Sequence, residues 1–477
     1  MPGPDYNGSG FHPPFLPGVE LEGKFMKKLG WRLGFLILFS CGAMAQRAVK
    51  STLAATPPMG WNSWDSFALG ITQRQFKAQA RFMARHLARD GWRYMVVDEG
   101  WYLRNPYSNG RPAWQYVMNH HGLYQPAPNR FPSAQRGRGF RPLAHYIHSL
   151  GLRFGLHIVR GIPRAAVKAN LPIAGSHFRA SEAANPADVC PWNSDNYGVR
   201  DNAAGQAYYD SMARQWASWH VDFVKVDCIA AHPYKGREIA MIARAIRRSG
   251  RPILLSLSPG AAPLSHAIQF QKFAQMWRIA DDFWDHWGKI PQIPWSQSLY
   301  GQFINLAAWQ PFAGPGHWPD ADMLPIGWLG PHPGLGPPRQ SHFTRPEVRT
   351  LLTLWAMGRS PLIMGGNLLH LSPWLLRQLT NRAVIAVDQH TFDNHALITT
   401  AGRAIWLARP DQGSGVYLAL FNRGAQKKTF TESWQQLGLP AASYQITNLW
   451  TGRGLGRALR LHARIAPHAA LLYRLTP

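Results

Sequence analysis

Acidic residues are scarce in this chain of 477 residues: Asp and Glu number 25 against 51 Lys and Arg, so the formal net charge is +26 at pH 7. Such a charge can indicate a nucleic-acid partner. The basic residues are spread along the chain, however, and their densest groups are short, such as RGRGFR at 136–141. No zinc-finger spacing, RNA-binding signature or basic helical arm accompanies them. We therefore expect a solvated cationic surface and no nucleic-acid partner.

Long apolar runs are also scarce. The run LGFLILFSCG at 33–42 is too short to span a membrane, so we expect no stable membrane insertion. It follows the cationic segment MKKLGWR, which begins at Met26, and precedes the small-residue site AMA at 43–45. This order predicts a secretory signal peptide at 26–45, with residues 1–25 as an upstream start-site extension. The protein is then exported, to the periplasm or outside the cell.

Cysteine occurs only three times. Cys41 lies in the predicted signal peptide and could be a lipoprotein anchor, but Phe39 suits such a signal poorly and simple cleavage is favoured. Cys190 and Cys228 then remain in the mature chain. Export permits a disulfide between them, and the sequence leaves their pairing open.

Internal repeats are missing too, and from about Thr56 the chain alternates strand-like runs with helical stretches. Continuous apolar runs are typical of buried parallel strands, and they occur here as YMVVD (94–98), RFGLHIV (153–159), FVKVD (223–227) and PILLSLS (252–258). The segment EIAMIARAIRRSG (238–250) has apolar residues at helical spacing and ends on Gly. Repeated strand–helix units predict an α/β fold, a (β/α)8 TIM barrel at 46–389.

Two regions depart from this alternation. The stretch at about 160–205 is rich in Asn, Pro and Gly and too long for an ordinary connection, so we expect a lid-like insertion. After residue 390, helical periodicity disappears and short strand-like runs follow: AIWLARP, GVYLALFNR, SYQITNLWTG and AALLYRLTP. They predict a small C-terminal antiparallel β-sandwich domain at 390–477.

The few acidic residues gather where the predicted strands end. Asp98 and Glu99 follow YMVV, and Asp227 ends FVKVD. Further aspartates follow Arg278 and the segment GHWP, at Asp281, Asp282, Asp285, Asp320 and Asp322. In a barrel of this kind, side chains at the carboxyl ends of the strands face the active site.

Lys225 and Asp227 share one face of their strand, because side chains alternate. A neighbouring ammonium favours an ionised carboxylate, which suits a nucleophile. A second carboxyl group that stays protonated could serve as acid; a separation of about 5–5.5 Å defines a retaining glycosidase and about 6.5–9.5 Å an inverting one. A purely structural ion pair is one alternative. A magnesium or calcium site built from Asp98, Glu99 and Asp227 is another. His157, near a strand end, is either a core histidine or a pocket residue.

Seven segments, in order, resemble those of glycoside hydrolase family 27, the α-galactosidase (melibiase) family. They are TPPMGWNSWDSF (56–67), VVDEGW (96–101), KVD (225–227), WRIADDFWD (277–285), GPGHWPDADML (314–324), PLIMGGNL (361–368) and AVIAVDQ (383–389). The resemblance covers most of the chain and implies a barrel followed by a β domain. It also implies that no metal or organic cofactor is needed.

The resemblance implies catalytic roles for two carboxyl groups. Asp227, in the family's K-x-D motif, would be the nucleophile. In the family's R-x-x-x-D motif the acid/base lies four residues after Arg278, which selects Asp282 over Asp281.

The resemblance also implies a sugar-binding pocket. Trp64 would stack on the apolar face of the sugar, while Asp98 and Glu99 would bind the 4- and 6-hydroxyls of galactose. Lys225 would contact hydroxyls of the same sugar and keep Asp227 ionised. Arg278 and Asp322 would complete the subsite around C2 and the ring.

Several positions depart from the family pattern. Glu99 stands where galactosidases usually have Asp, and its extra methylene reaches towards the hydroxymethyl group, which favours a sugar without C6 such as β-L-arabinopyranose. Ser258 and Ala261 resemble the smaller pair of α-N-acetylgalactosaminidases, which leaves room for a 2-acetamido group. His157 replaces a family tyrosine. Cys228 lies one residue before the family's usual cysteine, so the family's disulfide is not carried over.

The sequence therefore predicts a retaining exo-glycosidase that acts on terminal α-D-galactosyl residues of oligo- or polysaccharides. β-L-Arabinopyranosidase and α-N-acetylgalactosaminidase are the alternatives. A non-catalytic sugar-binding relative is disfavoured because both carboxylates are present. The oligomeric state is left open.

Overall fold

The structure is a computed structural model that describes residues 53–107, 113–331 and 336–477. The predicted signal peptide at 26–45, its Cys41 and the extension at 1–25 lie outside the described residues. No helix within the described part of the chain is long and apolar enough to cross a membrane.

Eight parallel strands form one curled sheet. In chain order, barrel strands 1 to 8 are Met59–Asn62, Tyr94–Val97, Arg153–Val159, Phe223–Asp227, Leu254–Leu257, Met276–Arg278, Trp318–Asp320 and Leu362–Met364. Strand 1 pairs with strand 2 on one side and with strand 8 on the other. A bridge between Leu324 and Met364 joins the segment after strand 7 to strand 8. The predicted α/β barrel is confirmed, and strands 3 and 4 have the predicted bounds.

Helices follow the barrel strands in turn. They are Gln73–His86, Arg141–Ser149, Ala203–Ser218, Gly236–Arg248, Ala267–Phe273, Leu299–Trp309, Arg345–Gly358, Pro373–Leu379 and Arg382–Gln389. Helix Gly236–Arg248 buries Ile239, Ile242 and Ile246 at helical spacing, as its sequence pattern predicts. Thr72 and Thr344 begin two of the helices with capping boxes that satisfy free backbone N–H groups.

Shorter elements fill the loops at both ends of the barrel. One-turn helices are Trp64–Phe67, Arg164–Lys168 and Ala180–Ala183, and 3-10 turns include Ala68–Gly70, Ala88–Asp90, Pro132–Ala134, Leu264–His266, Gln310–Phe312 and Leu368–His370. Trp328–Leu329 and Arg339–Gln340 pair as a two-residue ribbon.

The insertion after strand 3 is ordered around a small antiparallel sheet. Its strands are Ile162–Pro163, Asn196–Val199 and Ala184–Val189, paired in that spatial order. Cys190 forms a disulfide with Cys228, the residue that directly follows strand 4, with a Cα–Cα distance of 6.1 Å. The pairing that the sequence leaves open is therefore present, and it ties the insertion to the rim of the barrel.

The C-terminal domain consists of a six-stranded antiparallel sheet and a two-stranded one. In chain order its strands are Thr391–Thr399, Arg403–Pro410, Val416–Asn422, Lys428–Ser433, Tyr444–Asn448, Gly454–Ala458, Arg460–Ile465 and Ala470–Thr476, with a 3-10 turn at Gln435–Leu437. The sheets enclose an apolar core that includes Leu418, Phe430 and Trp434. The indole of Trp450 donates a hydrogen bond to Thr353 of a barrel helix at 3.0 Å.

Asp222 lies at the amino end of strand 4, away from the carboxyl ends where the other strand acids gather. It accepts hydrogen bonds from Arg251 at 2.5 Å and from the backbone of Phe154 at 2.8 Å, and its Oδ2 lies 2.7 Å from Nε2 of His148. These contacts make it a structural residue at the opposite end of the barrel.

Candidate active site

Most of the predicted site residues project from the carboxyl end of the barrel. Parallel pairing places His157 of strand 3 opposite Lys225 of strand 4, and Val159 opposite Asp227. Because residues two apart share a face, His157, Lys225 and Asp227 all lie on one surface of the sheet. Arg278 ends strand 6, and Asp322 follows strand 7 by two residues.

Asp98 is the buried centre of this site. Its Oδ2 accepts a hydrogen bond from Asn62 at 2.6 Å and lies 3.2 Å from the ammonium of Lys225. Its Oδ1 accepts the backbone N–H of Glu99 at 2.8 Å. Burial acts to raise the pKa of Asp98, but His157 and Lys225 outweigh it and hold the pKa well below its usual range. Asp98 is therefore an anion held in a fixed position.

Asp227, the predicted nucleophile, has three donors around its carboxylate. Its Oδ1 accepts the backbone N–H of Cys228 at 2.8 Å and the hydroxyl of Ser258 at 3.0 Å. Its Oδ2 lies 3.7 Å from Nε2 of His157. Burial would raise the pKa of Asp227, yet His157, then Lys225 and the Cys228 N–H, lower it below its usual value. The carboxylate is thus ionised and oriented, which suits a nucleophile.

The direct partner of Lys225 is Asp98 and not Asp227, the residue that the sequence pattern indicates. The salt bridge runs to Asp98 at 3.2 Å, whereas Asp227 experiences the ammonium only as a more distant charge. Burial lowers the pKa of Lys225, but Asp98 and Asp227 raise it above its usual value. Alternation along a strand places Lys225 and Asp227 on one face, but it does not show which neighbouring strand supplies the closest carboxylate.

His157 is buried between two anions. Its Nε2 lies 4.0 Å from Oδ1 of Asp98 and 3.7 Å from Oδ2 of Asp227, and the residue is 1% exposed. Burial lowers its pKa, but the two carboxylates more than reverse this and raise it. His157 therefore tends to carry a positive charge beside the predicted nucleophile.

Arg278 joins the predicted acid/base to a buried aspartate. Its Nη2 lies 2.7 Å from Oδ2 of Asp322 and 3.1 Å from Oδ1 of Asp282. The Asp282 side chain is 51% exposed, whereas those of Arg278 and Asp322 are 3% and 4% exposed. Asp281 instead lies 3.5 Å from Nε2 of His232. Of the two adjacent aspartates, Asp282 is the one that contacts the Arg278 guanidinium, which also binds the buried Asp322.

Glu99 reaches the insertion after strand 3. Its Oε1 accepts a hydrogen bond from Nδ2 of Asn193 at 2.8 Å, and Asn193 lies three residues after the disulfide-bonded Cys190. Asn193 is 1% exposed. Apart from the nearby cysteine, no sequence signal predicts this contact, since the insertion follows no regular pattern.

The remaining predicted residues are Trp64, Ser258 and Ala261. Trp64 is half-buried, and its backbone N–H donates to Asn62 at 2.8 Å, which fixes the turn after strand 1. Ser258 is buried with its hydroxyl on Asp227, a contact that the sequence did not predict. Ala261 is exposed.

Within residues 53–107, 113–331 and 336–477, no group of three or more His, Cys, Asp or Glu could hold a metal ion.

Comparison with known proteins agrees with this arrangement. The family profile described as Alpha galactosidase A matches residues 56–169 and 197–390, which is more than half of the chain. The chain belongs to glycoside hydrolase family 27. A second profile, the Alpha galactosidase C-terminal beta sandwich domain, matches residues 400–475 of this family member. The unmatched residues 170–196 lie in the insertion that carries Asn193.

Relatives within the family act on different sugars. The chain is similar to a family 27 β-L-arabinopyranosidase from Geobacillus stearothermophilus, with 43% identity, a TM-score of 0.84, and coverage of 89% of this chain and 97% of that one. It is 27% identical to the alpha-N-acetylgalactosaminidase of Gallus gallus over 90% of this chain and 95% of that protein. It is 26% identical to an alpha-galactosidase of Oryza sativa subsp. japonica over 91% of this chain and 87% of that protein. The protein is thus an O-glycosidase, and family membership alone does not determine its sugar.

Proposed function

We propose that this family 27 enzyme is a retaining exo-glycosidase that prefers terminal β-L-arabinopyranosyl residues. The choice of sugar rests on the position of the Glu99 side chain. Its carboxylate is held by Asn193 at 2.8 Å, so the longer side chain has a fixed position. By its resemblance to family 27, Glu99 would lie beside the hydroxymethyl group of galactose, which arabinopyranose lacks.

The 43% identity to an arabinopyranosidase supports the same choice. The order of the two sugars is therefore reversed relative to the expectation from the sequence motifs.

Hydrolysis of terminal α-D-galactosyl residues is the second candidate, because the two sugars share their ring stereochemistry and the family motifs are those of α-galactosidases. α-N-Acetylgalactosaminide hydrolysis is the third candidate. The Ser258 hydroxyl is engaged by Asp227 at 3.0 Å, so a serine at this position has a role that does not depend on the substituent at C2.

In the proposed mechanism, a carboxylate oxygen of Asp227 attacks the anomeric carbon while the Asp282 carboxyl group donates its proton to the leaving oxygen. The glycosidic bond breaks and a glycosyl ester of Asp227 forms. The Asp282 carboxylate then takes a proton from water, whose oxygen attacks the anomeric carbon and frees Asp227. Two displacements at one carbon retain its configuration.

The charges around Asp227 favour this division of roles. His157 and Lys225 stabilise its anionic form, and the N–H of Cys228 and the hydroxyl of Ser258 orient it. The Asp282 side chain is more exposed than those of Arg278 and Asp322, so a leaving group and then water can reach it.

Initial rates on the nitrophenyl derivatives of β-L-arabinopyranose, α-D-galactose and α-N-acetylgalactosamine test the proposal. We expect kcat/KM to be highest on the arabinoside. Dominant turnover of the galactoside would replace the first candidate by the second, and turnover that survives Asp227→Asn would overturn the mechanism for every sugar.

We also propose that the enzyme is exported. The signal-like segment at 26–45 supports this, as does the disulfide between Cys190 and Cys228, since such bonds persist in oxidising compartments. N-terminal sequencing of protein recovered outside the cytoplasm should begin after Ala45, and an intact N-terminus on cytoplasmic protein would refute export.

A further inference from the structure

A groove outside the candidate active site is lined by four cationic side chains. It has a volume of 460 Å³, and its cations are Arg74, Lys77, Arg81 and Arg130. The other lining residues, which include Thr72, Gln73 and Asn129, are neutral. We call this feature the cationic groove.

Among the residues that the structure describes, none that lines the cationic groove is acidic. The sequence segments that form it explain why: there is no Asp or Glu from residue 66 to 89, and none from 100 to 181. Burial lowers the pKa of Arg130 to about 10, with Tyr107 acting in the opposite direction. A group of like charges without a counter-charge is a place where an anionic ligand gains energy.

Three of the cations lie along one face of helix Gln73–His86. Arg74, Lys77 and Arg81 are three and four residues apart, so they are spaced by about 4.5 and 6 Å along the helix axis. Tyr146 supports two of them: the Lys77 ammonium lies 4.3 Å from its ring centroid, and Arg81 donates to its hydroxyl at 3.3 Å. The groove therefore presents an ordered row of cations.

Arg130 fixes the buried end of the groove. Its guanidinium donates to the carbonyls of Gly100 and Leu103 at 2.6 and 3.0 Å, and to those of Leu69 and Ile71 at 2.6 Å each. Its Nε is buried and has no hydrogen-bond partner in the described part of the chain. No carboxylate takes part in these contacts, and the four backbone carbonyls supply most of the compensation of its charge in the described part of the chain.

The groove lies on the catalytic side of the barrel. Helix Gln73–His86 begins where the chain returns from the carboxyl end of strand 1, and Asn129 and Arg130 belong to the loop that leaves the carboxyl end of strand 2. Gly100, whose carbonyl Arg130 binds, directly follows Glu99 of the proposed sugar pocket. The groove and the proposed sugar pocket therefore lie at the same end of the barrel.

We propose that the cationic groove binds the carboxylates of an acidic, uronate-bearing polysaccharide and so holds the polymer whose terminal sugars the enzyme removes. Carboxylates repeated along a chain can pair with the successive cations of the helix face. Single-stranded nucleic acid fits less well, because its binding sites use free aromatic faces for stacking, and the ring of Tyr146 is covered by Lys77.

Binding of polygalacturonate to the full mature enzyme tests the proposal. The test variant is Arg74→Gln/Lys77→Gln/Arg81→Gln. The matched control, Arg453→Gln/Arg460→Gln/Arg464→Gln, removes the same charge from exposed positions of the C-terminal domain. We expect wild type and control to bind in a salt-dependent manner, and the groove variant to bind about tenfold more weakly. Both variants should keep wild-type rates on a nitrophenyl glycoside.

Three outcomes would overturn the proposal: no binding by the wild type, equal losses in the two triple variants, or groove-dependent binding of single-stranded DNA that is tighter than that of polygalacturonate. If the triple variant unfolds at a lower temperature than the control, the single variant Arg74→Glu replaces it, since Arg74 is exposed. The binding assay involves no hydrolysis. Its failure is therefore distinct from failure of the proposed glycosidase activity, which the nitrophenyl assays measure.

Discussion

Replacing His157 with Gln should move the acid limb of the kcat/KM profile to higher pH. The raised pKa of His157 keeps the imidazole charged in the acid range, and this charge stabilises the ionised form of Asp227. Asp227 attacks only when it is ionised. Without the imidazolium it takes up a proton at higher pH, so activity is lost earlier on acidification.

The distances set the size of this effect. Nε2 of His157 lies 3.7 Å from Asp227 and 4.0 Å from Asp98. Two unit charges about 4 Å apart interact by about 4 kcal/mol at an effective dielectric constant near 20. Lys225 and the Cys228 N–H still stabilise the carboxylate in the variant, and the Gln amide can donate a hydrogen bond. We therefore expect about a third of that energy to be lost, which raises the pKa of the acid limb by about one unit. At a pH below the limb, kcat/KM as a fraction of its plateau value should then be about tenfold lower in the variant than in the wild type.

The assay uses a dinitrophenyl glycoside, whose leaving group departs without a proton, so that the limb reports Asp227 rather than Asp282. His157→Tyr, which restores the family tyrosine, should shift the limb in the same direction. His148→Gln is the matched control, because His148 contacts Asp222 at 2.7 Å at the opposite end of the barrel. A lower plateau of kcat/KM with the acid limb at an unchanged pH would show that His157 contributes only by packing. A shift of the limb to lower pH would refute the electrostatic reasoning.

Three further predictions follow from the site. Glu99→Asp should raise the galactoside-to-arabinoside ratio of kcat/KM, and an unchanged ratio would remove Glu99 as the determinant of the sugar. Cys190→Ser/Cys228→Ser opens a loop of 38 residues, which should cost about 4 kcal/mol of unfolding free energy in the chain-entropy account. Thermal unfolding should show a lower Tm that no longer responds to reductant. Ser258→Ala removes a donor to Asp227 and should lower kcat/KM about tenfold on every substrate with Tm retained; a loss confined to the N-acetylgalactosaminide would contradict this.

The barrel was predictable from the sequence because its strands are buried on both faces. Continuous apolar runs such as RFGLHIV and FVKVD leave little choice of structure, and both strands have the predicted bounds. The strand Thr391–Thr399 was missed, because its residues are mostly half-buried or exposed and its pairing is interrupted by two register shifts. Such a strand lacks the alternation that marks a one-sided sheet.

The site was predictable where strand ends determine position, and unpredictable where loops or cross-strand distances do. Asp98 and Asp227 lie at the carboxyl ends of strands 2 and 4, and this alone places them in one site. The preference of Lys225 for Asp98 depends on the separation of side chains across strands. Asn193 reaches Glu99 through an irregular insertion that is tied down by a disulfide, and no local pattern encodes that path.

The proposed retaining mechanism is tested most directly by the stereochemistry of the first sugar released. Proton NMR recorded during early turnover of a nitrophenyl glycoside, before mutarotation, identifies that anomer. Two displacements, through Asp227 and then water, predict a product with the anomeric configuration of the substrate. Initial release of the opposite anomer would contradict the covalent intermediate and the role of Asp227 as nucleophile.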